Sequence, residues 1–262
     1  MDTFNLLEFS VNEIKAFTLV FIRISGLVLA SPVLGSNLVL SRLKIGLAFI
    51  LAVIIFPALD YQASLLPNHL LSYLSIVTRE LFLGLTLGFL FHVLFIGIQF
   101  AGDIIGMQMG FSIVNVLDPQ SSLQLSIIGE IKYLTAMLLF LVMNGHYMIV
   151  EALFSCFQIV PVAMVNIQPQ LQLKLVEMTG WVFIYLFKIG APVLIALYIT
   201  EIAMGIIART VPQMNIFIVG FPLKIGLGLL TLGLALPVWS HVFQKLVETF
   251  SVQWQALLLG FK

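Results

Sequence analysis

Residues 81–102 form an apolar run, LFLGLTLGFLFHVLFIGIQFAG, with no formal charge over its 22 residues. A helix needs about 20 mainly apolar residues to cross a bilayer, so this run predicts a membrane-spanning helix. The other apolar runs are 16–34, 45–59 (short for a span), 133–150, 152–173, 210–223 and 225–244. We therefore expect a set of hydrophobic helices joined by short connections.

The composition excludes an ordinary water-soluble domain. Charged residues make up 9% of the 262 residues, and the mean hydropathy is +1.13. Soluble domains carry about 25% charged residues. The 12 basic and 12 acidic residues cancel, which leaves no bulk charge to attract nucleic acid. Membrane lipid is thus an expected partner, and nucleic acid is not.

Several charged residues lie inside or beside the apolar runs. An ion at membrane depth costs at least about 2.5 kcal/mol. Where proline or glycine interrupts a helix, backbone groups lose their hydrogen bonds and need protein or water as partners. The pattern favours helices packed mainly against other protein. It also predicts ion pairs between helices or subunits for Arg23, Lys188, Glu201 and Arg209. A proton or substrate path through a small transporter is the alternative.

The stretch 99–126 reads QFAGDIIGMQMGFSIVNVLDPQSSLQLS and carries glycines at every fourth position, namely Gly102, Gly106 and Gly110. Small residues at this spacing let helix backbones pack closely. Polar residues lie between the glycines, and Asp118–Pro119 is expected to end the helix. A polar, broken stretch at membrane depth needs protein or water around it, so it predicts a pore lining or a gate.

Gly84 and Gly88 repeat the four-residue spacing inside the run 81–102. They lie one helical turn apart and therefore share a face. No polar residue separates them other than Thr86. For this pair a plain helix–helix contact is the predicted role.

The sequence contains no pattern typical of catalysis or metal binding. Its four histidines are scattered, and the single cysteine, Cys156, lies among apolar residues. No serine or cysteine stands in a nucleophile motif, and no glycine loop precedes the Lys-Ser/Thr pair of a phosphate site. We therefore expect no enzyme activity, no cofactor and no metal site.

Four blocks resemble a known family: LASPVLGS, AGDIIGMQMGFSIVNVLDPQSS, LLFLVMNGH and EIAMGIIARTVPQMNIFIVGFPLKIGLGL. Together they resemble the R-subunit family of the flagellar type III export gate (the FliR family), which is shared with the T subunits of virulence injectisomes. The likeness covers about residues 15–240 in the same order. One departure is Leu40, where a proline is expected.

The resemblance implies an all-α fold of hydrophobic, membrane-associated helical hairpins with broken helices, packed within a hetero-oligomeric helical assembly. Residues 1–262 would form one export-gate subunit. Roughly 1–180 would resemble a P subunit, and 181–262 a Q subunit.

The implied function is that of a structural and gating subunit of the flagellar type III protein export channel. It would lie in the bacterial inner membrane, at the flagellar basal body, and pass unfolded flagellar proteins. The implied partners are the P and Q subunits FliP and FliQ, the switch subunit FlhB and the export component FlhA. A virulence injectisome gate is the alternative within the family. A transporter would predict paired broken helices in two symmetric halves, which the sequence does not display.

The resemblance also implies a role for the glycine-rich stretch. A loop of roughly 106–122 would project into the channel as a plug, with Gly106 and Gly110 as flexible points. Gln108 and Met109 would belong to it, and Phe111, Ile113 and Val114 would fill the closed lumen. Asp118 and Pro119 would set the turn back. Gly84, Gly88 and Gly102 would serve helix packing.

Overall fold

The computed structural model describes residues 3–36, 39–59, 66–67, 69–111, 126–211, 213 and 215–261. Within these residues there are seven α-helices and no strand, which confirms the predicted all-α fold. The helices are α1 Thr3–Ala30, α2 Ser41–Ile55, α3 Leu70–Met109, α4 Ile127–Val142, α5 Gly145–Ile159, α6 Gln170–Thr210 and α7 Ile216–Leu258. Short 3-10 turns at Phe56–Ala58 and Leu259–Phe261 extend α2 and α7.

Four helical segments of the described chain are long and apolar enough to cross a membrane: Ser41–Ala58, Leu70–Met109, Gln170–Thr210 and Ile218–Phe261. The first is longer than the apolar run 45–59 because α2 begins one helical turn earlier, at Ser41, and the 3-10 turn Phe56–Ala58 continues it to Ala58. A fifth candidate is the pair α4 and α5, which is bent by 70°. The bend falls at Asn144, whose φ of 58° ends the helical path. The expectation of broken apolar helices is thereby confirmed.

The helices are grouped into two compact units. The first comprises Met1–Val93, Asn144–Met178 and Thr249–Lys262, and the second comprises Leu94–Met143 and Thr179–Glu248. The long helices α3, α6 and α7 each contribute residues to both.

In the first unit, α1 and α3 meet backbone to backbone. A Cβ on Gly26 of α1 would lie 2.9 Å from the Leu81 carbonyl oxygen, and one on Gly88 would lie 2.7 Å from that of Leu27. A Cβ on Gly84 would collide with the Arg23 carbonyl oxygen. Gly84 and Gly88 therefore lie where the two helices come closest, and such contact gains dispersion energy in an apolar setting.

The first unit also holds a fully buried ion pair. Arg23 Nε donates to Glu80 Oε2 at 2.5 Å, and both side chains are completely buried. Arg23 also donates to the carbonyls of Val160, at 2.7 Å, and Pro161, at 3.3 Å. Arg23 therefore stays charged while tying α1, α3 and the end of α5 together.

In the second unit, a lysine is buried and forms no ion pair with any residue that the structure describes. Lys132 of α4 is 1% exposed, and its Nζ has no hydrogen-bond partner in the part of the chain described. The ammonium instead lies 4.2 Å from the ring centroid of Trp239, and such cation–π contacts gain energy when desolvated. The Trp239 Nε1–H donates to the Ile189 carbonyl at 3.1 Å. This contact joins α4, α6 and α7.

Candidate functional site

The glycine-rich stretch lies at the end of α3, which stops at Met109. Gly110 has a φ of +96°, a conformation that favours glycine. Its N–H donates to the Met107 carbonyl, and the Phe111 N–H donates to the Gly106 carbonyl, both at 3.1 Å. These two bonds form a Schellman motif, which satisfies the last carbonyls of a helix. The sequence-based expectation that Asp118–Pro119 ends this helix was wrong, because Gly110 already turns the chain.

The last turns of α3 lie against the start of α4. A Cβ on Gly102 would lie 2.6 Å from Gly129 Cα, and one on Gly106 would lie 2.6 Å from Ser126 Oγ. Ser126 is the N-cap of α4 and accepts a hydrogen bond from the Gly129 N–H at 3.2 Å. The Asp103 carboxylate lies directly against Gly129. Hence the two helices that flank residues 112–125 touch each other at their ends.

Met109 and Phe111 anchor the end of α3 in the apolar core of the second unit. Met109 is 0% exposed, and Phe111 packs against the same cluster. The Met109 side chain lies over Gly228 of α7, where a Cβ would approach its Sδ to 2.8 Å. The Phe221 ring lies against Gly110, 2.6 Å from the position of a Cβ. We define Gly102–Phe111 and Ser126–Gly129 as the stems; both are packed rather than free.

A polar group joins the first stem to α6 and α7. Gln108 Nε2 donates to Glu201 Oε2 at 3.5 Å, and Lys224 Nζ lies 3.2 Å from Glu201 Oε1. Half of the Glu201 side chain is exposed, so solvent weakens the pair. Glu201 thus has an interhelical cation within the chain, Lys224, which the sequence analysis had not assigned to it.

The other residues predicted for the site do not come together with the stems in the part of the chain described. Ile113, Val114, Asp118 and Pro119 lie outside the described residues. Gly106, expected to be a flexible point, lies buried inside α3. Arg209 and Lys188 are exposed on α6.

Sequence reasoning missed Glu80 as the partner of Arg23. Glu80 directly precedes the uncharged run 81–102 and follows Arg79, so it reads as a charge flanking a span. The only available signal was the need for an anion near Arg23. Its partner lies 57 residues away in the chain.

The arrangement of the stems in the second unit is a packing contact between two helix ends. In the described ranges, no three His, Cys, Asp or Glu side chains come together as a possible metal site. The stems bring together glycines, apolar side chains and one exposed polar group. Such an arrangement can hold the two ends of residues 112–125 in place.

Comparison with known proteins identifies the family. The sequence profile of the bacterial export proteins, family 1, matches residues 14–250. The chain belongs to this family. Its apolar helices mark it as a membrane-embedded member.

Relatives in the family are flagellar biosynthetic proteins FliR. The one from Bacillus subtilis strain 168 is 37% identical over 247 residues, which cover 91% of this chain and 94% of that protein. The one from Pectobacterium carotovorum is 30% identical over 252 residues, 95% of each chain. The one from Escherichia coli K12 is 29% identical over 238 residues, 88% and 90% of the two chains. The resemblance to the FliR family is confirmed.

Proposed function

We propose that this chain is a structural and gating subunit of the flagellar type III export channel in the bacterial inner membrane. The observation that carries the proposal is the match to FliR proteins over nearly their whole length. The four long apolar helices support a place in the membrane. The channel would pass unfolded flagellar proteins for assembly of the flagellum, with no chemical step by this chain.

The chain would work beside the P and Q subunits, FliP and FliQ, and beside FlhB and FlhA. Exposed apolar surface supports an assembly: only 17% of the apolar window in Ser41–Ala58 is buried, and only 11% of that in Ile218–Phe261. Within this proposal, residues 1–180 correspond to a P-like part and 181–262 to a Q-like part.

Residues 112–125, between the stems, would act as the plug. The proposal rests on the geometry of the stems, because Gly102, Gly106 and Ser126 hold both ends of the segment at one place. In this proposal a threading chain would displace the segment while the stems stay packed. Gating would then be steric, with Ile113 and Val114 among the groups that fill the closed lumen.

An in-frame deletion of the gene tests the function. We expect loss of hook and filament proteins from the growth medium and loss of swimming, both restored by a plasmid copy. Normal secretion and swimming in the deletion strain would overturn the flagellar role. Export of virulence effectors, and then solute transport, would be measured next in that strain.

A further inference from the structure

Lys188 is an exposed cation in the middle of an apolar helix. Ten uncharged residues, 178–187, precede it in α6 and twelve, 189–200, follow it. At about 1.5 Å per residue, it lies roughly 15 Å or more from the nearest charged position on either side. The hydrocarbon core of a bilayer is about 30 Å thick, so Lys188 would lie close to its middle.

None of the residues that the structure describes neutralises this cation. Lys188 is exposed and forms no ion pair or hydrogen bond with the residues described. This distinguishes it from three other cations in apolar helices, since Arg23 is paired with Glu80, Lys224 is paired with Glu201, and Lys132 lies over Trp239. A charge at the bilayer centre costs at least about 2.5 kcal/mol.

A second polar group lies at the same turn. Pro192 lies inside α6, four residues after Lys188. Proline has no N–H, so the Lys188 carbonyl loses the donor that an α-helix normally supplies. A freed carbonyl at membrane depth requires protein or water. One helical turn therefore presents both a cation and a carbonyl.

The surrounding surface is apolar and continuous. The exposed residues at helical spacing on this face are Ile184, Ile195, Ile199, Ile202 and Ile206, with exposures of 47–65%. We call these five residues with Lys188 the isoleucine stripe. Apart from Lys188 it would suit lipid. The Lys188 cation makes contact of this surface with lipid unfavourable.

We propose that the isoleucine stripe is the docking surface for a membrane helix of a partner subunit that carries a carboxylate at the depth of Lys188. An apolar helix covers the isoleucines, and its Asp or Glu neutralises the ammonium. This inference rests on the proposed function, because it requires that the chain work in an assembly. It adds the site of contact and the chemistry of the partner.

The test is a substitution series at Lys188 in the native bacterium. Readouts are the amount of the chain in the membrane, the amount in a high-mass complex on native gels, and secretion of filament protein. Lys188→Met removes a charge from an apolar helix and so should insert at least as well as the wild type. The matched control, Ile199→Met, changes the same stripe without changing its charge.

We expect Lys188→Met and Lys188→Glu to lower the complex and secretion at least about tenfold, as loss of one member of a desolvated pair does. Lys188→Arg and Ile199→Met should stay within about twofold. Changes that restore swimming to Lys188→Glu should replace an acidic residue of another subunit. Wild-type assembly of Lys188→Met would overturn the proposal, as would labelling of Ile199→Cys, with Lys188 intact, in the assembled complex by a water-soluble thiol reagent. Normal secretion by the deletion strain would instead overturn the proposed function.

Discussion

At the scale of single residues, each charged side chain inside an apolar helix has its own surroundings. Arg23 is neutralised by Glu80 and further bonded to two backbone carbonyls. Glu80 accepts through its other oxygen from the Ala163 N–H at 2.9 Å, and Ala163 has a φ of 67°. The pair thus fixes a turn that an alanine rarely adopts on its own.

Glu80→Gln should strongly destabilise the chain. The change leaves the Arg23 cation buried without an anion, which costs about 3–5 kcal/mol. Thermal unfolding of the purified chain in detergent measures the effect. Lys224→Met is the control, since it breaks a pair whose Glu201 side chain is half exposed, and solvated pairs of this kind are worth about 0–1 kcal/mol. An unfolding temperature for Glu80→Gln equal to that of the control would contradict the structural role of the pair.

At the scale of elements, the sequence predicted that the glycines mark close helix contacts, and it could not predict the partners. Gly129, which faces Gly102, belongs to no glycine repeat. The end of α3 was misplaced because proline is a visible break, whereas the turn at Gly110 depends on a positive φ and on packing against Phe221.

Gly102→Ala should loosen the stems. The added methyl would lie 2.6 Å from Gly129 Cα, and overpacking of this kind costs about 1–3 kcal/mol. We expect lower thermal stability and reduced secretion of filament protein. The matched control is Gly180→Ala in α6, where a Cβ meets nothing within 4 Å. That change should be neutral or stabilise the helix by up to about 1 kcal/mol in the purified chain. If Gly102→Ala and Gly180→Ala had the same thermal stability and the same secretion, close packing of the stems would not be required.

At the scale of the whole molecule, apolar runs predicted the helical class and the membrane setting but not the lengths of the helices. The uncharged run begins at residue 81, yet α3 begins at Leu70 and runs for 40 residues. Helices extend beyond their apolar parts because polar residues continue the backbone hydrogen bonds. The grouping into two units depends on contacts between distant segments, which no single apolar run encodes.

Leakage of the resting membrane tests the central claim, that residues between the stems close a channel. Deleting residues 112–118 removes half of the segment and leaves both stems in place. Ion conductance across the membrane of cells carrying this variant should rise above that of wild-type cells. Cells that lack the whole chain serve as the control, and they should show no such rise. Wild-type conductance in the variant, with the complex still assembled, would contradict the account.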